Sequence, residues 1–229
     1  MRCKTFGSSI SFTSRFIWIF FAVSILFSQP STAGSFDDFF ASIVTDNSQV
    51  IKNLLIRGFD PNTPNEAGET PLILAVKSGS TNVIKVLIST KGIDIDRPNL
   101  YDENALMFAA INNKLEIAKI LISKGSSVNK TGWTALHYAA SSGHIEMLRL
   151  LLNQSAYIDA ASPNGTTPLM MASKYGNDKS AKFLIQEGAD PTVKNNLDLT
   201  ASDFAEMKGD SALVVFLNNE TAKWTSKSK

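Results

Sequence analysis

Two histidines are the residues of this chain best suited to metal binding or proton transfer. His137 and His144 are seven residues apart, whereas a metal pair on one helix needs the i, i+4 spacing. Ser142 precedes His144 by two positions, but no third residue is placed to orient the imidazole and no oxyanion site is recognisable. Structural roles are therefore expected for both histidines, and a hydrolase using Ser142 and His144 is a remote alternative.

An acidic segment at residues 94–103 carries oxygen ligands of the kind that calcium prefers. It lacks the glycine at the sixth position and the closing glutamate of a helix–loop–helix calcium site. The chain also has no GxxxxGK, HExxH or CxxC motif. The sequence therefore predicts a protein that is not an enzyme and uses neither a metal nor a cofactor.

A pattern that recurs five times determines where all these residues lie. Each repeat has a helix-capping residue, a short alanine-containing helix, a glycine or asparagine, and a second apolar helix. The capping residues are 30 to 34 positions apart, at Thr70, Asn104, Thr134, Thr167 and Thr200. Pro71 and Pro168 follow two of the caps, where a missing N–H costs nothing. Self-similarity at this period is typical of a stacked-repeat array.

Two segments match a known repeat pattern well: GWTALHYAASSGHIEMLRLLLNQSAYIDA at 132–160 and GTTPLMMASKYGNDKSAKFLIQEGADPTVKN at 165–195. On these residues the chain resembles the ankyrin-repeat proteins. The resemblance implies an all-α solenoid of about six helix-turn-helix units with short β-hairpin-like turns. The units are expected at about 36–66, 67–100, 101–130, 131–163, 164–196 and 197–219.

The resemblance also implies structural roles for residues at the caps and turns. His137 occupies the histidine position of the TPLH motif, where a side-chain hydrogen bond ties adjacent turns together, and His144 occupies the GH position. The residues expected to be structural are Thr70, Pro71, Asn104, Thr134, His137, Gly143, His144, Thr167, Pro168 and Gly188.

The N-terminus is typical of a secretory signal peptide. Basic residues precede an apolar run at 16–27, and small residues follow it. Cleavage is expected between Ala33 and Gly34, giving a signal peptide at 1–33, a repeat domain at 34–219 and a polar tail at 220–229 that should fray. The alternative is an uncleaved anchor, but the run is shorter than the roughly 20 residues of a spanning helix, so no membrane span is expected after cleavage.

The predicted leader also bears on the net charge of the processed protein and on its cellular location. The chain has 22 Lys and Arg against 21 Asp and Glu, and removal of the leader leaves a net charge of about −2 with no basic stripe in the sequence, which argues against nucleic acid. Exported ankyrin-like chains without disulfides resemble small periplasmic proteins of Gram-negative bacteria. A periplasmic location is therefore predicted, with an extracellular one as the alternative.

In the resembled family, hairpin tips and the positions after the paired alanines line a concave groove. Carried over by position, the resemblance implies partner contacts by Glu66, Glu69, Lys77, Leu100, Tyr101, Glu103, Ile111, Trp133, Ser142, Asn164, Thr166, Lys174 and Tyr175. Tyr101, Trp133 and Tyr175 are the expected anchors, since aromatic rings supply large contact area at low entropy cost. Alternatively, Trp133 covers a shortened turn and Tyr101 packs on its own hairpin.

The sequence thus predicts a non-enzymatic protein–protein interaction module that is exported and binds an unidentified protein through its concave face. The alternative is a stress-protective or stabilising accessory for envelope components without one fixed partner. The pattern sets neither the identity of the partner nor the oligomeric state.

Overall fold

The computed structural model describes residues 32–227, and within that range the regular structure is entirely helical. The helices are α1 (Thr32–Val44), α2 (Ser48–Ile56), α3 (Pro71–Ser78), α4 (Thr81–Ile88), α5 (Ala105–Ile111), α6 (Leu115–Ser123), α7 (Ala135–Ser142), α8 (Ile145–Asn153), α9 (Pro168–Tyr175), α10 (Asp178–Gln186), α11 (Ala201–Lys208) and α12 (Ser211–Lys227). Consecutive pairs form six units, which we number first to sixth along the chain. The predicted all-α solenoid is confirmed.

The helices lie in two layers. The odd-numbered inner helices pack each on the next, from α1 through α11, and the even-numbered outer helices lie behind them. The alanines of the inner helices are buried because they face the neighbouring units, and their small side chains let these helices approach closely. They are Ala75, Ala109, Ala110, Ala139, Ala140, Ala172 and Ala205, each fully buried.

Local chemistry fixes the helix ends. The Thr70 hydroxyl accepts a hydrogen bond from the Ile73 N–H at 3.3 Å, and Pro71 opens α3. Gly143 ends α7 with a left-handed backbone at φ 79°. Asn113 takes the corresponding left-handed conformation in the third unit, at φ 51°, as expected of the residue that replaces glycine there.

A ladder of hydrogen bonds between side chains and backbone N–H groups joins the first five units, and the sequence reasoning missed it. Each outer helix from α2 to α10 is followed by a residue with a left-handed backbone, at Gly58, Gly92, Gly125, Ser155 and Gly188. The acceptor side chain lies four residues after that position, and the donor is the backbone N–H two residues after the same position in the following unit. The pairs are Asp94 N–H to Asn62 (2.8 Å), Ser127 N–H to Asp96 (2.8 Å), Tyr157 N–H to Asn129 (2.8 Å) and Asp190 N–H to Asp159 (3.1 Å). Each rung satisfies a backbone donor between helices, where no helical bond is available.

The turns before the inner helices repeat as well. The Asn65 N–H donates to the Glu69 carbonyl at 2.9 Å, and the same bond closes three other turns. The turn before α7 is three residues shorter. There the Asn129 side chain bonds to the Ser155 carbonyl and the Tyr157 N–H, each at 2.8 Å, as the Asn62 side chain bonds to the Gly92 carbonyl and the Asp94 N–H. The shortened turn therefore keeps the contact to the next unit that a full-length turn makes.

The two ends of the chain differ from expectation in different ways. The expected frayed tail at 220–229 is wrong for its described part, because α12 continues through Lys227. Its last turns contain no glycine or proline, and Lys223 pairs with Glu220 at 2.8 Å one turn earlier. At the other end, the predicted leader lies outside the described residues up to position 31, and the expected cleavage site, Ala33–Gly34, falls in the first turn of α1.

Candidate binding groove

The last three units form a groove on the side of the inner helices, with a volume of about 370 Å³. We call it the inner groove. It is lined by Trp133, Tyr138, Asn164, Thr166, Met171, Lys174, Tyr175, Asn195, Leu197, Leu199 and Phe204. Most of this lining is aromatic or aliphatic, with a few amides and one lysine, which is the composition of a site that binds by burying apolar groups.

The register of the repeats explains why these residues meet. The residue four positions after each cap is large and half-buried on the inner-helix side, and in the last three units it is Tyr138, Met171 or Phe204. The residue immediately before the cap lies beside it, as Trp133 and Leu199 do. Because each cap starts its helix at the same point of the unit, equal register positions lie on one face.

A fully buried imidazole lies next to the groove. The His137 ring is 5.2 Å from the Trp133 ring in an edge-to-face arrangement. Its Nδ1 accepts from the Thr134 N–H at 3.2 Å, and its Nε2 donates to the Thr166 carbonyl of the next unit at 2.9 Å. Burial lowers the pKa of His137 to about 4. The neutral ring therefore links the fourth and fifth units and fixes the Trp133 side of the groove.

Lys174 is the cation of the inner groove. Its ammonium lies 5.8 Å from the centre of the Tyr175 ring and 6.0 Å from that of Phe204. The ion pairs within the described residues are made by other cations. The ammonium thus lies near two aromatic rings, and a carboxylate of a partner could still pair with it.

On the second and third units, the corresponding positions are occupied by intramolecular pairs. Glu69 forms an ion pair with Lys77, whose ammonium lies 5.2 Å from the centre of the Phe108 ring. Glu103 accepts a hydrogen bond from the Tyr138 hydroxyl at 2.7 Å. Burial and the Glu103 carboxylate together raise the pKa of Tyr138 above its ordinary value. These acids are bonded within the chain.

The structure brings together five of the predicted contact residues: Trp133, Asn164, Thr166, Lys174 and Tyr175. Thr166 has little exposed area, with 4% of its surface accessible. The remaining predicted residues lie outside the groove lining, namely Glu66, Glu69, Lys77, Leu100, Tyr101, Glu103, Ile111 and Ser142. Tyr101 is 79% exposed on its turn, so the three expected aromatic anchors do not share one site.

Sequence reasoning missed six lining residues: Tyr138, Met171, Asn195, Leu197, Leu199 and Phe204. A signal for three of them was present. Tyr138, Met171 and Phe204 each lie four positions after a cap, next to an inner-helix alanine. All three side chains are half-buried, so this register position leaves part of each one accessible in the groove.

His144, considered above as a catalytic residue, makes a hydrogen bond to the neighbouring unit. Its Nε2 lies 3.0 Å from the Ile111 carbonyl, and Asn177 makes the equivalent bond to the Ser141 carbonyl one unit later. The imidazole thus joins successive units. In residues 32–227 there is no group of three or more metal-ligating side chains, and no helix of that range is long and apolar enough to cross a membrane.

Comparison with known proteins agrees with this geometry. A family model described as "Ankyrin repeats (3 copies)" matches residues 39–131 and 124–195. The chain belongs to the ankyrin-repeat family. Ankyrin repeats indicate a protein–protein interaction module, and members of this family are typically not enzymes.

Individual relatives share the repeats but are much longer proteins. The protein glp-1 of Caenorhabditis elegans is 36% identical over 86 residues, which are 38% of this chain and 7% of glp-1. The nuclear factor NF-kappa-B p105 subunit of Gallus gallus is 32% identical over 161 residues, 67% of this chain and 16% of that protein. The chain thus spans a small fraction of the curated relatives it matches.

A solved ankyrin repeat domain from Acinetobacter baumannii superposes with a TM-score of 0.68 at 23% identity. The superposition covers 80% of this chain and 96% of that domain. At this identity the likeness shows the shared fold alone.

Proposed function

We propose that this ankyrin-repeat protein binds a protein partner through its inner-helix side, with the inner groove as the main contact. The observation that carries the proposal is that aromatic and aliphatic side chains of the last three units remain accessible there, while Lys174 makes none of the ion pairs found in residues 32–227. Rigid aromatic anchors around a pocket concentrate binding energy at interfaces. No catalytic step is part of the proposal.

Two exposed groove residues can be tested without disturbing the core. Tyr175 is 53% exposed and Leu197 is 74% exposed, so replacing both with alanine should leave the urea midpoint almost unchanged. Trp133 is unsuitable for this purpose because it packs on the buried His137. The second and third units offer a matched control, Leu100→Ala with Tyr101→Ala, at two residues that are each 79% exposed.

The experiment uses a photo-crosslinking amino acid placed at position 197 or, in the control, at position 100, followed by mass spectrometry. We expect one dominant protein adduct from position 197, lost in the Tyr175→Ala variant, and none of comparable yield from position 100. A diffuse set of adducts at both positions would favour the alternative of an envelope-stabilising accessory. Equal yields of one adduct from both positions would show that the groove is not the contact.

Export to the periplasm is part of the proposal and rests on residues 1–33, whose basic, apolar and small segments are typical of a signal peptide. N-terminal sequencing of the protein recovered from a periplasmic fraction should begin at Gly34. A cytoplasmic product that retains Met1 would contradict this part of the proposal.

A further inference from the structure

Two rows of cations run across the outer helices of the first three units. The fifth residue of α2, α4 and α6 is a lysine in each case, and a second cation lies in the turn that ends each helix. The first row is Lys52, Lys85 and Lys119, and the second is Arg57, Lys91 and Lys124; all six are exposed. We call these six residues the cationic face.

The cationic face is strongly unbalanced in a chain whose charges nearly cancel. Residues 48–57, 81–91 and 115–125 contain six of the 22 Lys and Arg but one of the 21 Asp and Glu. That acid, Glu116, is 2.7 Å from Lys119. The expectation that the chain has no basic stripe is therefore wrong. The stripe is invisible in the linear sequence because its members recur about one repeat apart.

The later units show that the imbalance is not a general property of the repeat. The fifth residue of α8 is Arg149, which lies 3.9 Å from Glu187, and the fifth residue of α10 is Lys182, which lies 3.9 Å from Asp178. A cation thus occupies the same register position in all five outer helices from α2 to α10. In the third, fourth and fifth units a carboxylate lies near this cation, whereas Lys52 and Lys85 make none of the ion pairs found in residues 32–227.

Apolar surface adjoins the cations at the first two units. Ile56 is 84% exposed, and together with Leu55 and Val86 it lines a shallow depression of about 280 Å³ next to Lys52. A second depression beside it, of about 500 Å³, is lined by Lys52 and Lys85 and by hydroxyl and amide side chains. A single exposed aliphatic residue is common on protein surfaces, but Ile56 lies beside Lys52 and lines an apolar depression with Leu55 and Val86.

We propose that the cationic face docks on a membrane surface rich in anionic lipid. Five of its six cations are lysines, which act as flexible hydrated point charges, whereas arginine is favoured where a defined carboxylate must be gripped in a fixed geometry. An array of headgroups offers diffuse negative charge that flexible ammonium groups can follow. Ile56 then enters the interfacial layer beside Lys52 and Arg57.

This contact leaves the inner groove on the opposite layer of helices open. A partner bound there would be held close to the membrane. The membrane contact itself does not depend on the proposed function, since it uses different helices and different residues.

The test is co-sedimentation of the full chain with vesicles of phosphatidylcholine containing 30% phosphatidylglycerol, or of phosphatidylcholine alone, at low and high salt. We expect at least about tenfold tighter partitioning onto the anionic vesicles at low salt, and loss of that preference at high salt, since each basic residue near such a surface contributes about fivefold. The double variant Lys52→Glu with Lys85→Glu should reduce partitioning onto anionic vesicles at least about tenfold.

The matched control is Lys179→Glu with Lys194→Glu, which changes the net charge equally at two exposed lysines of the later part of the chain. It should keep the wild-type partitioning. Residues 1–33 are the same in the patch and control variants, so a difference in partitioning between these two variants does not come from the leader. Ile56→Ser should weaken partitioning a few-fold with an unchanged salt dependence, and circular dichroism checks that every variant keeps its helices.

Three results would overturn the proposal. One is equal partitioning of the full chain onto anionic and zwitterionic vesicles, and another is an equal loss in the patch and control variants. The third is tighter binding of the cationic face to duplex DNA or to polyglutamate than to the anionic vesicles, which would identify a different class of partner.

Discussion

The inner-helix side of this protein has two regions built on one register but with different surfaces. On the second and third units, the residue before the cap is an acid, Glu69 or Glu103, and each acid is bonded to another side chain of the protein. On the fourth and sixth units the same position holds Trp133 or Leu199, and the surface beside it remains open as the inner groove. The residue at this register position therefore determines whether the inner-helix surface beside it is taken up by contacts within the protein or is left accessible.

The difference shows how a repeat scaffold separates stability from recognition. The caps, alanines and left-handed turn residues are alike in both regions and make the same helices. An ion pair within the second unit and a hydrogen bond between the third and fourth units occupy the first region, whereas aromatic and aliphatic groups with few internal polar partners occupy the second. Binding is therefore expected where the fold has left polar and apolar groups uncompensated.

The largest expected effect is within the groove region, at the junction where His137 joins the fourth unit to the fifth. His137→Ala removes both hydrogen bonds of a fully buried ring and leaves a cavity, so the free energy of unfolding should fall by about 3 kcal/mol. Urea denaturation measures this loss. His144→Ala is the matched control, since its ring is only half-buried and its loss should cost about 1 kcal/mol.

Lowering the pH tests the same junction between the fourth and fifth units without a mutation. Because the pKa of folded His137 is lowered to about 4 from 6.5, the unfolded chain binds the proton first as the pH falls. The stabilisation is complete above pH 6.5 and is lost between pH 6.5 and 4, amounting to about 3 kcal/mol. Urea titrations at these two pH values, compared with those of His137→Gln, isolate the effect. Equal pH dependence in both proteins would contradict a neutral buried imidazole.

Tyr138 connects the two regions, since it lines the groove and donates to Glu103 of the preceding unit at 2.7 Å. Tyr138→Phe removes the donor and should cost about 1 kcal/mol of unfolding free energy. A double-mutant cycle with Glu103→Ala, which removes the acceptor, should return a coupling energy of similar size. If the losses of unfolding free energy in the two single variants simply add, the hydrogen bond between Tyr138 and Glu103 does not contribute to stability. Glu103 would then be as available to a partner as the residues of the inner groove.

The smallest expected effect compares two lysines at the same register position. Lys77 has an ion pair and an aromatic ring, whereas Lys174 contacts aromatic rings alone. Lys77→Met should therefore cost about 0.5 kcal/mol, and Lys174→Met should be close to neutral. The urea midpoints of the two variants decide this, and a larger loss at Lys174 would reveal an internal role for its charge.

The sequence predicted the helical units well because their signals are local. Thr70 followed by Pro71 starts a helix and Gly143 ends one through contacts made within a few residues, and their repetition predicts that the units stack. The resemblance led to the prediction that Trp133, Tyr175 and Tyr101 contact a partner, and the first two line the inner groove. Tyr101 lies outside the groove lining, because a turn position says nothing about whether the neighbouring units offer a groove beside it.

By itself, the sequence determined the repeat period, the caps and the burial of the small inner-helix residues, since these depend on backbone hydrogen bonds and apolar spacing within one unit. Only the tertiary structure decided that Glu103 accepts a hydrogen bond from Tyr138 and that Asn62 accepts one from the Asp94 N–H. It also decided that Lys52, Lys85 and Lys119 lie on one face. Each of these facts joins residues roughly one repeat apart, and such pairs meet only after the units have stacked.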